Sequence, residues 1–278
     1  GLAALALLAG GCGGGGNAGS TDCVPNCNAP GNSLTADDVR KVIAQAVGEA
    51  QARGAAATIA VVDRVGNVLA VYRMNGARPK FDILSGRGVS GGLDGIRDTL
   101  PSEAAAIAKA ITGAYLSSSG NAFSTRTASQ IVQQSFLPGE ASAPSGPLYG
   151  VQFSQLSCSD VVRNATQGTV GPKRSPLGLS ADPGGLPLYK NGTVVGGVGV
   201  MADGTYGLDL IITDIDQDTD ELIAVAGTFG YAAPADIRAE RITADGKTFR
   251  YVDSESIVSN PAQAAAFASL PGSLVRVD

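Results

Sequence analysis

The chain has 278 residues, 44 % of them apolar, with 38 Gly, 14 Pro, 4 Cys, no Trp and no His. That length suits one large domain or two small ones with a substantial core, and the missing histidine excludes Ser-His-Asp triads, Cys-His pairs, His-bearing zinc sites and His-ligated haem. A net charge of -5 argues against a phosphate-binding surface, so no nucleic-acid partner is expected.

The amino-terminal stretch Leu2 to Ala9 is apolar but too short to cross a bilayer as a helix. Residues 1–11 read as what remains of a signal peptide. Leu8-Ala9-Gly10-Gly11-Cys12 resembles a bacterial lipobox, with a plain secretory signal or a truncated membrane helix as the alternatives. Cys12 is therefore the predicted lipidation site, and residues 12–33 the tether and linker. This predicts an exported protein of the bacterial cell envelope, periplasmic or on the cell surface, touching the membrane through its lipid anchor only. In such an oxidising space Cys23, Cys27 and Cys158 are disulfide candidates. Three cysteines cannot all pair within one chain, and a Cys23–Cys27 loop and a bridge from this arm to Cys158 both remain open.

A helix is predicted from an N-cap at Thr35, with Asp37 and Asp38 in the first turn and Val39, Val42, Ile43, Ala46, Val47 and Ala50 at helical spacing, ending at Gly54. Thr58 to Val62 and Asn67 to Arg73 read as a hairpin turning at Asp63-Arg64-Val65-Gly66. Residues 76–101 are glycine-rich and predict a loop. Ser102 is the expected cap of a second helix running to about Tyr115, and a third follows from Thr125 to Phe136. Residues 139–183, rich in Pro, Gly and Ser, read as an insertion.

Leu186 to Tyr189 and Thr193 to Met201 predict a second hairpin around Asn191-Gly192. Gly196, Gly197 and Gly199 strip side chains from its second strand, which predicts close approach of a backbone or a ligand. Asp218, with Glu221 three residues on, caps a fourth helix carrying Leu222, Ile223, Val225, Ala226 and Phe229. A last hairpin turns at Asp245-Gly246, and Pro261 to Leu270 predicts a short terminal helix. This order gives an α+β fold, an antiparallel sheet with helices packed on it.

Five motifs in this order resemble the GlcG/HbpS family of haem-binding or haem-degrading-type proteins, related to the carboxy-terminal domain of PduO. They are Ile59-Ala60-Val61-Val62-Asp63 with Gly66, and Tyr72-Arg73-Met74-Asn75-Gly76-Ala77. The others are Lys109-Ala110-Ile111-Thr112-Gly113-Ala114-Tyr115, Gly184-Gly185-Leu186-Pro187-Leu188 with the glycine-rich strand after it, and Asp220-Glu221 with Ala224-Val225-Ala226-Gly227. The resemblance implies a profilin-like sheet flanked by helices, a homo-oligomer, and one domain over 34–278. The insertion at 139–183, the residues 203–216 and an extension over 236–278 depart from the family's pattern.

Haem is the cofactor that the resemblance implies. Its threonine-type contact falls on Thr112, with Lys109 one helical turn earlier positioned to pair with a propionate. Tyr115 and Met74 would line the macrocycle, and a Tyr phenolate is a second possible ligand. Helix packing is the competing reading of Thr112 and Tyr115. The alternating carboxylates Asp214, Asp216, Asp218 and Asp220 look like a calcium loop, but Thr219 and Val225 stand where an EF-hand needs Gly and Glu, so acidic capping explains them better. No metal site and no catalytic residue is assigned; Ser118, Ser119 and Ser124 have no histidine to activate them. Arg73, Lys109 and Arg126 are candidates for a small anionic-ligand site. The expected function is binding of a small molecule, haem or a related tetrapyrrole, in uptake or sensing. A cell-surface interaction scaffold is the alternative, and an enzyme acting on a small metabolite comes third.

Overall fold

A computed structural model describes residues 33–86, 93–131, 173, 175–211, 214–244 and 246–277. Residues 1–11, read above as a signal remnant, with Cys12, Cys23, Cys27, Cys158 and most of the 139–183 stretch, lie outside the described residues. Among the described residues, no helix is long and apolar enough to cross a membrane.

Helix α1 spans Ala36–Ala52 and begins with a full capping box. The Thr35 hydroxyl accepts from the Asp38 backbone N–H at 3.2 Å, and the Asp38 carboxylate accepts from the Thr35 N–H at 2.7 Å. Strands β1 (Thr58–Asp63) and β2 (Val68–Met74) form the first hairpin. Its turn is held by the Asp63 carboxylate, which accepts from the backbone of Val65 and Asn67.

The 76–101 region is not wholly a loop. It contains β3 (Lys80–Ile83) and β4 (Leu100–Pro101), strands too short to show a clear period in sequence. Helix α2 covers Ser102–Leu116, and Pro101, not Ser102, occupies its N-cap. The Ser102 hydroxyl donates instead to the Arg78 carbonyl. Helix α3 is described over Thr125–Ile131. The second hairpin joins β5 (Gly185–Lys190) to β6 (Thr193–Met201), with Asn191 at φ 51° and Gly192 at φ 74° in its turn. Strand β7 (Thr205–Tyr206) and helix α4 (Thr219–Gly227) follow. Asp218 caps α4, its carboxylate accepting from the Glu221 N–H at 2.7 Å.

After α4 come a small hairpin of β8 (Thr243–Ala244) and β9 (Lys247–Thr248), then β10 (Gly272–Leu274). The 261–270 stretch forms two single 3₁₀ turns, Pro261–Gln263 and Phe267–Ser269, and not one helix. Its Pro and small residues provide no repeated apolar stripe to stabilise longer helix.

The main sheet has five strands in the order β10-β2-β1-β6-β5, each neighbouring pair antiparallel. A smaller sheet orders β4-β3-β7, with β3 and β7 parallel. The fold is α+β, an antiparallel sheet flanked by helices. Alternation along β1 splits the core: Ile59 and Val61 join α1 and α4 on one face, Ala60 and Val62 join α2 on the other. The carboxy-terminal extension supplies β10, which pairs Gly272, Ser273 and Leu274 with Met74, Arg73 and Tyr72.

The glycines of β6 work as the sequence predicts. A Cβ on Gly197 would stand 2.1 Å from the Ala110 carbonyl oxygen, and one on Gly199 equally close to that of Ala106. Bare backbone lets α2 lie directly against the centre of the sheet. Gly113 returns the favour from the helix, since a Cβ there would meet the Leu186 backbone at 2.6 Å.

Candidate functional site

Three of the four residues assigned to a haem contact lie on α2, and the packing of α2 decides what each can do. Lys109 is fully buried. Its ammonium reaches Asp182 at 2.5 Å and Asp220 at 2.6 Å. Asp220 also accepts from the backbone N–H groups of Ala202 and Asp203, and Asp182 from Gly207. One lysine thus ties the approach to β5, the start of α4 and the loop after β6. Burial alone would lower the Lys109 pKa, but Asp182 and Asp220 more than offset it and hold the ammonium above its ordinary value. Burial pushes Asp182 up to about 6 despite Lys109, and Asp220 well above the usual carboxylate range.

Thr112 is also fully buried. Its hydroxyl donates to the Ala108 carbonyl at 2.7 Å and accepts from the Ser180 N–H at 2.7 Å. The Tyr115 hydroxyl hydrogen-bonds with the carbonyls of Val65 and Lys173, and burial pushes its pKa up to about 12, so it is no phenolate near neutral pH. Met74 lies across the sheet, in the α1 face of the core, where its sulfur accepts from the Ala57 N–H. The structure therefore brings Lys109, Thr112 and Tyr115 together along α2 and leaves Met74 on the opposite face.

Arg126, at the start of α3, is 1 % exposed and surrounded by carboxylates. Glu221 stands at 2.7 Å, Asp209 and Asp253 at 2.9 Å, and Asp216 at 3.5 Å. Burial raises Glu221 to about 7 against the pull of Arg126. Carboxylate oxygens of Asp209, Asp214 and Asp216 lie within 4.8 Å of one another, but two of these residues already face the guanidinium. An anionic-ligand site made of Arg73, Lys109 and Arg126 does not form, because each cation is taken by acids, Arg73 by Glu103. Sequence reasoning missed this network, since Arg126 and its partners lie 83 to 127 residues apart.

The described surface has a different opening. A groove of about 310 Å³ runs between α1 and the β2–β10 edge, lined by Leu34, Val39, Ile43, Leu69, Phe267 and Leu274, with Thr35, Ala36, Arg40 and Ala70 completing the wall. Its size is at the lower end for small-molecule sites, and its wall is mainly apolar. Arg40 brings a cation that is more than half exposed and paired with Asp37 at 2.7 Å. Val68, Leu69, Leu274 and Val277 leave further apolar surface exposed.

Residues 34–87 match the family model described as haem degrading protein HbpS-like. Comparison with curated proteins gives no match. Among solved structures, a PduOC–haem complex is 19 % identical, with 71 % of this chain and 94 % of that chain covered and a TM-score of 0.40. The Klebsiella pneumoniae protein ORFY is 20 % identical over 70 % and 88 % of the two chains, at 0.39. A double mutant of Streptomyces reticuli HbpS is 21 % identical over 73 % and 89 %, at 0.34.

Proposed function

We propose that this chain is a GlcG/HbpS-type binding protein for a small, largely apolar ligand with an anionic group, of the haem or tetrapyrrole class, held in the α1–β2–β10 groove. The groove carries this reading. All of its lining residues except Phe267 and Leu274 fall within the segment that matches the HbpS-like model. Apolar walls favour a flat hydrophobic face, and Arg40 at the rim suits a carboxylate.

The described residues do not fit coordination of haem iron. Thr112 is fully buried with its hydroxyl bonded to Ala108 and Ser180, Tyr115 is a neutral phenol, Met74 is buried elsewhere, and the groove wall has no imidazole, thiolate or thioether. The macrocycle would be held by its faces and acid groups. In a titration with haemin, a saturable Soret shift is the expected outcome. Iron-free protoporphyrin should bind within a few-fold as tightly. Leu69→Asp, at a position 40 % exposed and so tolerant of change, should weaken binding by about tenfold or more through the cost of placing a carboxylate against apolar surface. Absence of any shift sinks the reading; loss on Thr112→Ala with Tyr115→Phe, and not on Leu69→Asp, moves the ligand to α2.

Export and a lipid anchor at Cys12 belong to the same proposal and suit scavenging or sensing at the envelope. A diacylglycerol on Cys12 in the native protein is the test. A second reading, a contact surface for another copy of the chain, is favoured by Val68, Leu69, Leu274 and Val277 beside the edge strand β10. Sedimentation of Leu274→Asp against the parent chain separates the two, because only a contact surface makes it change the assembly state.

A further inference from the structure

Buried lysine next to one carboxylate is an ion pair; buried lysine between two can be a reaction. Lys109 Nζ lies 2.5 Å from Asp182 Oδ2 and 2.6 Å from Asp220 Oδ2, with all three residues in the interior. We propose that Lys109 and Asp182 condense to an intramolecular amide, with Asp220 as the proton acceptor for the amine.

The surroundings assign the roles. Asp220 Oδ1 is fixed by the N–H groups of Ala202 at 2.7 Å and Asp203 at 3.2 Å, so its Oδ2 is presented to Nζ. Asp182 Oδ1 accepts from the Gly207 N–H at 2.8 Å, a donor that would stabilise negative charge on that oxygen as the carbonyl carbon becomes tetrahedral. Contact in the folded state replaces a bimolecular encounter. The paired acids hold Lys109 as the ammonium, so the neutral amine forms only as Asp220 takes its proton at the moment of attack.

The steps balance without an oxidant or reductant. The Lys109 ammonium gives one proton to Asp220, and the neutral amine attacks Asp182 Cγ. An Nζ–Cγ bond forms and the Cγ–Oδ2 bond breaks. The departing oxygen leaves as water, taking its hydrogens from the amine nitrogen and from the acid groups, with Asp220 relaying them. One ammonium and one carboxylate become one amide and one water, and Asp220 is regenerated. The carboxyl groups that face this lysine are Asp182 and Asp220 in contact, with Asp203 and Asp218 farther off. Asp182 has the Gly207 donor on its second oxygen, while Asp220, the more deeply buried of the two and raised well above the usual carboxylate range by that burial, is the better proton acceptor.

Intact mass spectrometry of the full chain, denatured and reduced, tests this. A mass below the sequence value by one water, about 18 Da, is expected. Tandem spectra should show one branched peptide joining Lys109 to Asp182. Lys109→Arg and Asp182→Ala should restore the unmodified mass, and Asp220→Asn should leave folded protein with the amide unformed or formed far more slowly. An unmodified wild-type mass overturns the proposal and leaves Lys109 an ion pair, whatever the variants do. A branched peptide that persists at the wild-type rate in Asp220→Asn overturns the role of Asp220.

Discussion

Arg126 shows how much a single side chain organises. Its guanidinium faces acids from the loop after β7, from α4 and from the segment after β9, which otherwise share no secondary structure. Removing the cation strands those carboxylates in the interior, and an uncompensated buried charge costs about 3–5 kcal/mol. Arg126→Met should lower the urea midpoint accordingly, and Arg126→Lys should not rescue it, because a point charge cannot satisfy three acids in a fork geometry. A midpoint unchanged within error would show that the acids are protonated or solvated without it. None of this was legible in the sequence. Glu221 looks like part of a cap, and locally it is next to one; only the fold reveals that its oxygens go to Arg126 and to the Asp253 N–H. Asp218, whose partner is three residues away, was readable for the opposite reason.

Elements were legible where their signal is local. The Thr35 N-cap of α1, the Asn191-Gly192 turn and the glycines of β6 each state a backbone requirement within a few residues, and each appears in the structure. Strands β3, β4 and β10 were not, because two to four residues cannot establish a period and their pairing depends on distant partners. The contact of β6 with α2 is the least forgiving of these joints. Gly197→Ala would drive a methyl into the Ala110 carbonyl and force the helix off the sheet. A loss of about 1–3 kcal/mol is expected from overpacking, read as a fall in thermal midpoint; the corresponding change at Gly192, where a Cβ meets nothing within 4 Å, tests φ strain alone. Equal losses at the two sites would show that helix contact adds nothing.

For the whole molecule, buried acid sets the response to pH. Glu221 has its pKa raised from 4.5 to about 7, first by burial, with Arg126 opposing. Between those values the folded state binds the proton more tightly than the unfolded chain does. Stability from this group is therefore full below pH 4.5 and declines as pH rises towards 7. Asp182, raised to about 6, acts in the same direction wherever its carboxyl is free. Glu49 acts oppositely: burial would raise it, but Ser259, Val258 and Arg53 hold it low, so its contribution disappears in acid. The denaturant midpoint should peak on the acid side of neutrality and fall from about pH 5 to about pH 7.5, and Glu221→Gln should flatten that fall. A midpoint rising across this interval would show that the buried acids ionise freely.

Leu34 and Leu274 stand in the wall of the same groove although nearly the whole described chain lies between them. Strand β10 is held by few bonds, including the Asn75 N–H to the Pro271 carbonyl and the Val275 N–H to the Val71 carbonyl. Short terminal elements of this kind open and close on their own, well below the global unfolding free energy. A molecule seated between α1 and β10 would couple the strand to the helix as one cooperative unit. Occupancy would then be recorded in the amide exchange rates of residues 272–275, and a ligand with no colour could be detected by the slowed exchange of that strand.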